Sequence, residues 1–179
     1  PFEALLQKTL NTNDKTILSS YLKDISVNIQ HRTAKKNLLS EEKTYPKSCL
    51  SRLLPHYDFY LEKGITEDTM KQFQCGLAMS GKLYQRVIFP VFRSDGLIHG
   101  FSGRKVTEDP RPKWLHNGRC SDWFYPYYSI DQVAACIKKE RSVYIVESIG
   151  DCISLFDYGI KNVLVSFGLN ISPRFIAKL

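Results

Sequence analysis

The sequence predicts an α+β chain that passes into α/β: N-terminal helices, a mixed basic β-sheet, then the opening strand–helix–strand of a parallel sheet. Three observations predict it. Apolar residues recur at helical spacing near the N-terminus (Ile17, Leu18, Tyr21, Leu22, Ile25, Ile29). A β-branched and aromatic run, residues 86–92, is followed by the turn signal Ser94-Asp95-Gly96 and a second run, 97–101. Finally, two uninterrupted apolar runs, 142–146 and 162–166, flank a helical stretch at 150–158. Unbroken apolarity predicts strands covered on both faces, as in a parallel sheet.

In chain order, helices are expected at 3–10 and about 15–30, separated by the polar tract 11–14. Residues 31–47 are lysine-rich, carry only Leu38-Leu39 as an apolar anchor and end on Tyr45-Pro46, so they read as a linker. From 51 to 74 the pattern is helix, a stop at Gly64, then a second helix capped by Thr66 with Glu67 and Asp68 in its first turn, where carboxylates favour the dipole. Strands are expected over 84–106. A proline-punctuated segment, 107–128, precedes Ser129-Ile130-Asp131-Gln132, which has capping-box spacing and opens a helix reaching Lys139. Ser172-Pro173 supplies an N-cap and a first-turn proline for a last helix. Three regions follow: a helical segment and linker at 1–50, a basic subdomain at 51–140, and an incomplete parallel α/β subdomain at 141–179. A chain that begins on Pro1 and stops at Leu179, inside a helix just begun, reads as an excised fragment.

An apolar fraction of 43% with 24% charged residues excludes a disordered chain. No apolar run approaches the 18 or so residues of a membrane span, and no signal peptide is visible, so a cytoplasmic protein without a membrane partner is expected. The five cysteines (Cys49, Cys75, Cys120, Cys136, Cys152) never come as a C-x-x-C pair, so no zinc is expected in this segment. Cys136 and Cys152 read as small apolar groups filling helix faces.

The formal net charge of +7 is uneven. Residues 82–120 hold eight Lys/Arg against three Asp/Glu, whereas 121–179 balance at six against six. Because the basic stretch also carries Tyr84, Phe92, Phe101 and Trp114, it suits a polyanion with stackable bases; a solvated basic surface over an aromatic core is the alternative. Glu147 ends the apolar run 143–146, at the edge where open α/β sheets keep their ligands. Asp151 lies four residues on. Such a carboxylate pair suits a hard cation such as Mg2+; the alternatives are a buried salt bridge for Glu147 and a helix-dipole partner for Asp151.

These residues resemble a known family. Residues 143–155, VYIVESIGDCISL, are similar to the first TOPRIM motif, and what precedes them resembles the catalytic core of DnaG-type bacterial and phage DNA primases. YLEKGITEDTMKQFQCG (60–76) is similar to the helical hairpin that opens that core; RVIFPVF (86–92), GFSGR (100–104) and PKWL (112–115) follow its strand and basic-ridge motifs; VLVSFG (163–168) resembles the second TOPRIM strand and its glycine turn. The likeness spans about residues 52–170 and rests on the order of its parts. It departs in two places: Ser148 and Ser102 stand where the family usually has glycine, which a negative φ would tolerate. The family's Asp-x-Asp, completing its metal site, would come after residue 179.

The resemblance implies synthesis of RNA primers on a single-stranded DNA template by nucleotidyl transfer from NTPs, with Mg2+ or Mn2+ as cofactor and a replicative helicase as partner, in bacterial or phage-infected cytoplasm. It implies Glu147 as the catalytic acid and metal ligand, Asp151 as a further ligand, and Arg86, Arg104, Lys105, Lys113 and Trp114 as contacts to template or NTP. Trp114 reads equally as a core indole. Lys105 is a weaker candidate, with Arg111 and Arg119, and the fragment alone is expected to be inactive. His99 sits in a strand among Leu97, Ile98 and Phe101, and neither it nor His116 is expected to act as a general base, because metal-driven transfer requires no imidazole; the aromatic run 123–128 reads as core rather than as a stacking platform. The alternatives are a single-stranded DNA-binding module without catalysis, and a TOPRIM nuclease or topoisomerase.

Overall fold

The structure, a computed structural model, describes residues 43–108 and 111–179. The helices expected at 3–10 and 15–30, and most of the linker, lie outside those residues. Within Lys43–Leu179, five strands form one sheet: β1 (Leu53–Leu54), β2 (Gly76–Ala78), β3 (Arg86–Phe92), β4 (Ile98–Lys105) and β5 (Trp114–Asn117). They lie side by side in chain order and every pairing is antiparallel, so the sheet expected as mixed is a meander. Its central hairpin turns where Ser94-Asp95-Gly96 signals it. Gly96 has a φ of +79°, and the Arg93 N–H donates to the Leu97 carbonyl at 2.8 Å.

The helix expected from residue 51 is much shorter. Lys47–Arg52 is a 3₁₀ turn, Leu53–Leu54 pairs with Leu77 and Ala78, and α1 covers only Asp58–Leu61. Pro55 favours an extended Leu54, and the partner strand β2 then takes its backbone bonds. The second helix, α2 (Glu67–Gln72), is capped by Thr66, whose Oγ1 accepts from the Thr69 N–H at 3.3 Å. At α3 (Asp131–Glu140) the predicted capping box does not form. Ile130 occupies the N-cap, while the N–H groups of Ser129 and Ile130 both donate to the Pro126 carbonyl, so that turn sets the helix start instead.

The C-terminal strand–helix–strand forms as predicted. β6 (Tyr144–Val146) and β7 (Val163–Val165) are parallel, Tyr144 facing Val163, with α4 (Ile149–Asp157) between them in sequence. β7 is buried throughout, but Tyr144 is 56% and Ile145 38% exposed. The expected cover on both faces of β6 is therefore missing: among the described residues β6 pairs along one edge only. Ser172 caps the short α5 (Pro173–Ile176), accepting from the Phe175 N–H at 3.1 Å.

One hydrophobic core runs from Tyr60 through Phe73, Phe89, Trp123, Tyr125, Phe156 and Val165 to Phe175. Of the aromatic run expected as core, Trp123, Phe124 and Tyr125 are buried and Tyr127 packs against them partly buried, whereas Tyr128 is 37% exposed. Cys152 is buried in the α4 face, and burial raises its thiol pKa. Trp123 occupies a slot that Gly100 and Gly118 leave open. A Cβ at Gly100 would overlap the indole, which backbone shifts alone can relieve. Gly100→Ala is therefore expected to destabilise the chain by about 3 kcal/mol in urea unfolding.

Helices α2 and α4 are joined by Asp157, whose Oδ1 accepts from Thr66 Oγ1 at 2.5 Å and from the Thr66 N–H at 3.1 Å. These bonds, with one from Thr69, hold the Asp157 carboxyl below the usual carboxylate range. A carboxyl whose folded pKa lies below its unfolded value, about 3.9, adds stability above that value and loses it as the pH falls through the folded one. Asp157→Asn should flatten the fall in urea midpoint between about pH 5 and about pH 2.

Candidate active site

Neighbours across an antiparallel ladder share a face, and alternate residues swap faces. In β4 and β5, Arg104 pairs with Trp114 and Ser102 with His116; in β3 and β4, Val87 pairs with Arg104 and Phe89 with Ser102. These residues look onto the main core. Arg86, Ile88, Phe101, Gly103, Lys105 and Leu115 take the other face, where Ile88 packs with Ala78, Leu83, Phe101 and Leu115.

The main-core face borders a cleft of about 160 Å³ lined by Ser102, Trp114, His116, Glu147, Ser148, Ile149, Phe167 and Gly168. One wall is the antiparallel sheet. The other is the turn after β6 and the turn after β7, where Phe167 is held at a φ of +57° and Gly168 at +137°. Phe167 fills its end of the cleft by packing edge-on to Trp123, with ring centroids 4.8 Å apart, and to His116 at 5.6 Å. Glu147 is exposed at the rim.

Ser148 is the N-cap of α4 with a φ of −123°, so the side chain expected to be tolerable there is accommodated. Its Oγ accepts from the Asp151 N–H at 3.4 Å and donates to Asp151 Oδ2 at 2.8 Å. Asp151 thus braces the N-cap hydroxyl and sits outside the cleft lining. Among the described residues no three His, Cys, Asp or Glu side chains converge as a metal site. Glu147 offers a hard oxygen donor at the rim, and the paired carboxylates expected from the sequence do not share the cleft.

The five basic and aromatic residues expected to meet nucleic acid divide across the sheet. Trp114 lines the cleft while packing on Phe89, centroids 6.2 Å apart, so its stacking and core readings hold together. Arg104 lies beside it, its guanidinium 5.6 Å from the Trp114 ring and 5.0 Å from that of Phe59. Its Nη1 is buried without a hydrogen-bond partner, and desolvation lowers its pKa. Lys105 is on the far face, and its N–H donates to the Lys113 carbonyl at 3.0 Å, which pairs Lys113 with it. Arg86 is 1% exposed on that same face; its Nη1 donates to the carbonyls of Gly103 at 3.3 Å and Lys113 at 3.4 Å. The expectation that Arg86 meets phosphate is corrected: it is a strut between β3, β4 and the approach to β5. Arg111 is held by Tyr84, Gln85 and Thr107, and Arg119 reaches Asp122 at 3.6 Å.

Sequence reasoning set His116 aside as a base and gave Ser102 and Phe167 no role at all. The available signal was the period-two alternation that carries Ser102 to the same face as Arg104. His99 stays with the core, 6.3 Å from Trp123 and outside the cleft lining.

Comparison with known proteins shows what the chain is similar to. No protein-family model matches the chain. A DNA primase of Lactococcus lactis is 28% identical over 154 residues, covering 66% of this chain and 24% of the primase. A DNA primase of Clostridium acetobutylicum is 31% identical over 145 residues, covering 62% and 24%. The chain resembles the catalytic core of DnaG-type DNA primases. The likeness extends to the fold: a DnaG primase catalytic domain bound to single-stranded DNA superposes with a TM-score of 0.61 at 17% identity, covering 74% of this chain and 55% of that domain. The zinc-binding and RNA polymerase domains of Aquifex aeolicus primase give 0.60 at 20% identity, covering 68% and 39%. The DnaG-like chain spans about a quarter of the length of these two curated primases. None of its described helices is long and apolar enough to cross a membrane.

Burial makes Arg86 and Arg104 testably different. Arg86→Met leaves two carbonyls without their charged donor and should cost about 2 kcal/mol in urea unfolding, whereas Arg104→Met should cost markedly less.

Proposed function

We propose that this chain is part of the catalytic core of a DNA primase, and that its cleft holds a nucleotide during RNA primer synthesis on single-stranded DNA. The observation that carries this reading is the position of Glu147, at the rim of a cleft whose opposite wall is Ser102, Trp114 and His116 of the basic sheet. The likeness to DNA primases supports it. In this reading the division at about residues 50 and 140 separates a helical segment, a basic subdomain and the beginning of a TOPRIM subdomain.

Glu147 is the group proposed to hold a divalent cation, Mg2+ or Mn2+. Its donor chemistry fits a hard cation, and a set of one carboxylate leaves the other positions to water and substrate oxygens. A cation so bound supplies neutralisation of the charge that builds on the phosphates and the leaving pyrophosphate. Asp151 acts on this site through the cap, holding Ser148 and so the turn that carries Glu147. Arg104 is the phosphate contact favoured here, because a half-desolvated guanidinium with an unpartnered nitrogen gains most from an anion. Trp114 offers an apolar face to a base. Lys105 and Lys113 meet a DNA backbone only along the far face, which makes them contacts to template outside the cleft. A replicative helicase is the partner this reading expects of the whole protein.

In the complete protein that carries this sequence, Glu147→Gln should abolish primer synthesis on single-stranded DNA in the presence of Mg2+, while leaving DNA affinity within about twofold. Undiminished synthesis removes Glu147 from the mechanism. DNA binding that weakens steeply with salt, with no synthesis in the unaltered protein, assigns the chain a binding role instead.

A further inference from the structure

The far face of the antiparallel sheet carries a groove of about 240 Å³ that the proposed nucleotide site does not use. Its floor is aliphatic. Leu53 pairs with Ala78 across β1 and β2, and both pack with Leu83 and Ile88 into a small second hydrophobic cluster. The sides are held by local structure. Tyr45 exchanges both main-chain hydrogen bonds with Ile98, at 2.7 and 2.9 Å, and its ring meets Phe101 edge-on with centroids 5.1 Å apart. The 3₁₀ turn Lys47–Arg52 then brings Cys49, Leu50 and Arg52 into the lining.

The charge of that lining has one sign. Arg52 and Lys82 line the groove and are exposed, and no Asp or Glu lines it. Among the described residues neither cation meets a carboxylate. An apolar hollow with unpaired cations beside it suits a ligand that has aliphatic and anionic groups side by side. Nucleic acid is matched less well, because bases need flat faces to stack on and the two rings of the groove, Tyr45 and Phe101, pack edge to face. A second copy of this chain is disfavoured too, since each copy carries a formal net charge of +7.

We propose that this groove docks an acidic peptide segment of a partner protein, whose aliphatic side chain fills the floor while flanking carboxylates pair with Arg52 and Lys82. The inference makes no use of the cleft, so it stands apart from the assignment of Glu147. In such an interface the ion pairs steer encounter and fix orientation, and the apolar side chain supplies the buried area.

The test is fluorescence anisotropy of a labelled peptide, Glu-Asp-Leu-Leu-Asp-Glu, with the complete protein that carries this sequence. Binding should saturate, and Arg52→Glu and Lys82→Glu should each weaken it at least about fivefold. Both side chains are exposed, so these variants should keep the thermal midpoint. Exchanging the two leucines of the peptide for serine should weaken binding at least about tenfold. Lys138→Glu, an exposed position on α3 outside the groove lining, should change it less than about twofold. Absence of saturable binding, unchanged affinity in both groove variants, an equal loss in Lys138→Glu, or indifference to the serine exchange overturns the inference. So does displacement of the peptide by oligo-dT with a potency that Arg52→Glu and Lys82→Glu reduce in parallel, which assigns the groove to nucleic acid.

Discussion

Everything in the candidate site depends on how Trp123 and Tyr125 join the antiparallel sheet to the parallel strand pair. Trp123 enters the slot left by Gly100 and Gly118, and two residues later the Tyr125 carbonyl accepts from the Val165 N–H at 2.8 Å. This aromatic segment therefore contacts β4 with a side chain and β7 with its backbone. The turn after β7 is thereby set against the sheet, and Phe167 closes the contact on Trp123 and His116. The cleft is what remains between the two sheets once those rings have packed. Rings bury large areas and fix angles through edge-to-face contact, so the walls are rigid where the chemistry is proposed.

Polar groups at this junction follow a consistent logic. On the far face of the sheet, the Arg86 guanidinium is buried against main-chain carbonyls and serves the fold. On the cleft face, Arg104 Nη1, Ser102 Oγ and His116 Nδ1 are buried without partners. Leaving a buried polar group unpaired costs about 1–3 kcal/mol, a large fraction of the stability of a domain this size. The same holds for Tyr60 Oη, Trp123 Nε1, Tyr125 Oη and Ser129 Oγ elsewhere in the described residues. Asp151 shows the reverse case: its carboxylate accepts from the Ser148 hydroxyl at the N-cap of α4.

Local signals were legible wherever local chemistry decides structure. Thr66 and Ser172 cap helices because a hydroxyl three residues before an unpaired N–H needs no tertiary help. Gly96 turns the central hairpin because glycine takes a positive φ without strain. The β6–α4–β7 unit was readable from two unbroken apolar runs around a helix. The failures came where a distant partner took over. Leu53–Leu54 became a strand because β2 was there to pair with it, and α3 starts from Ile130 rather than Ser129, with the Ser129 and Ile130 N–H groups turned to the Pro126 carbonyl.

The sequence by itself determined the composition of the site: a basic, aromatic middle, a carboxylate at the end of an apolar strand, and the glycines that let Trp123 in. It also determined the family likeness, because the order of the motifs is a property of the chain. Which side of the sheet each basic residue occupies was decided only by tertiary structure, since a strand's period of two assigns faces but not which face meets the core. Arg86 and Arg104 are equally basic as letters. Pairing register puts one under the sheet as a strut and the other beside Trp114, and that same register brings Ser102 and His116 together across from Glu147.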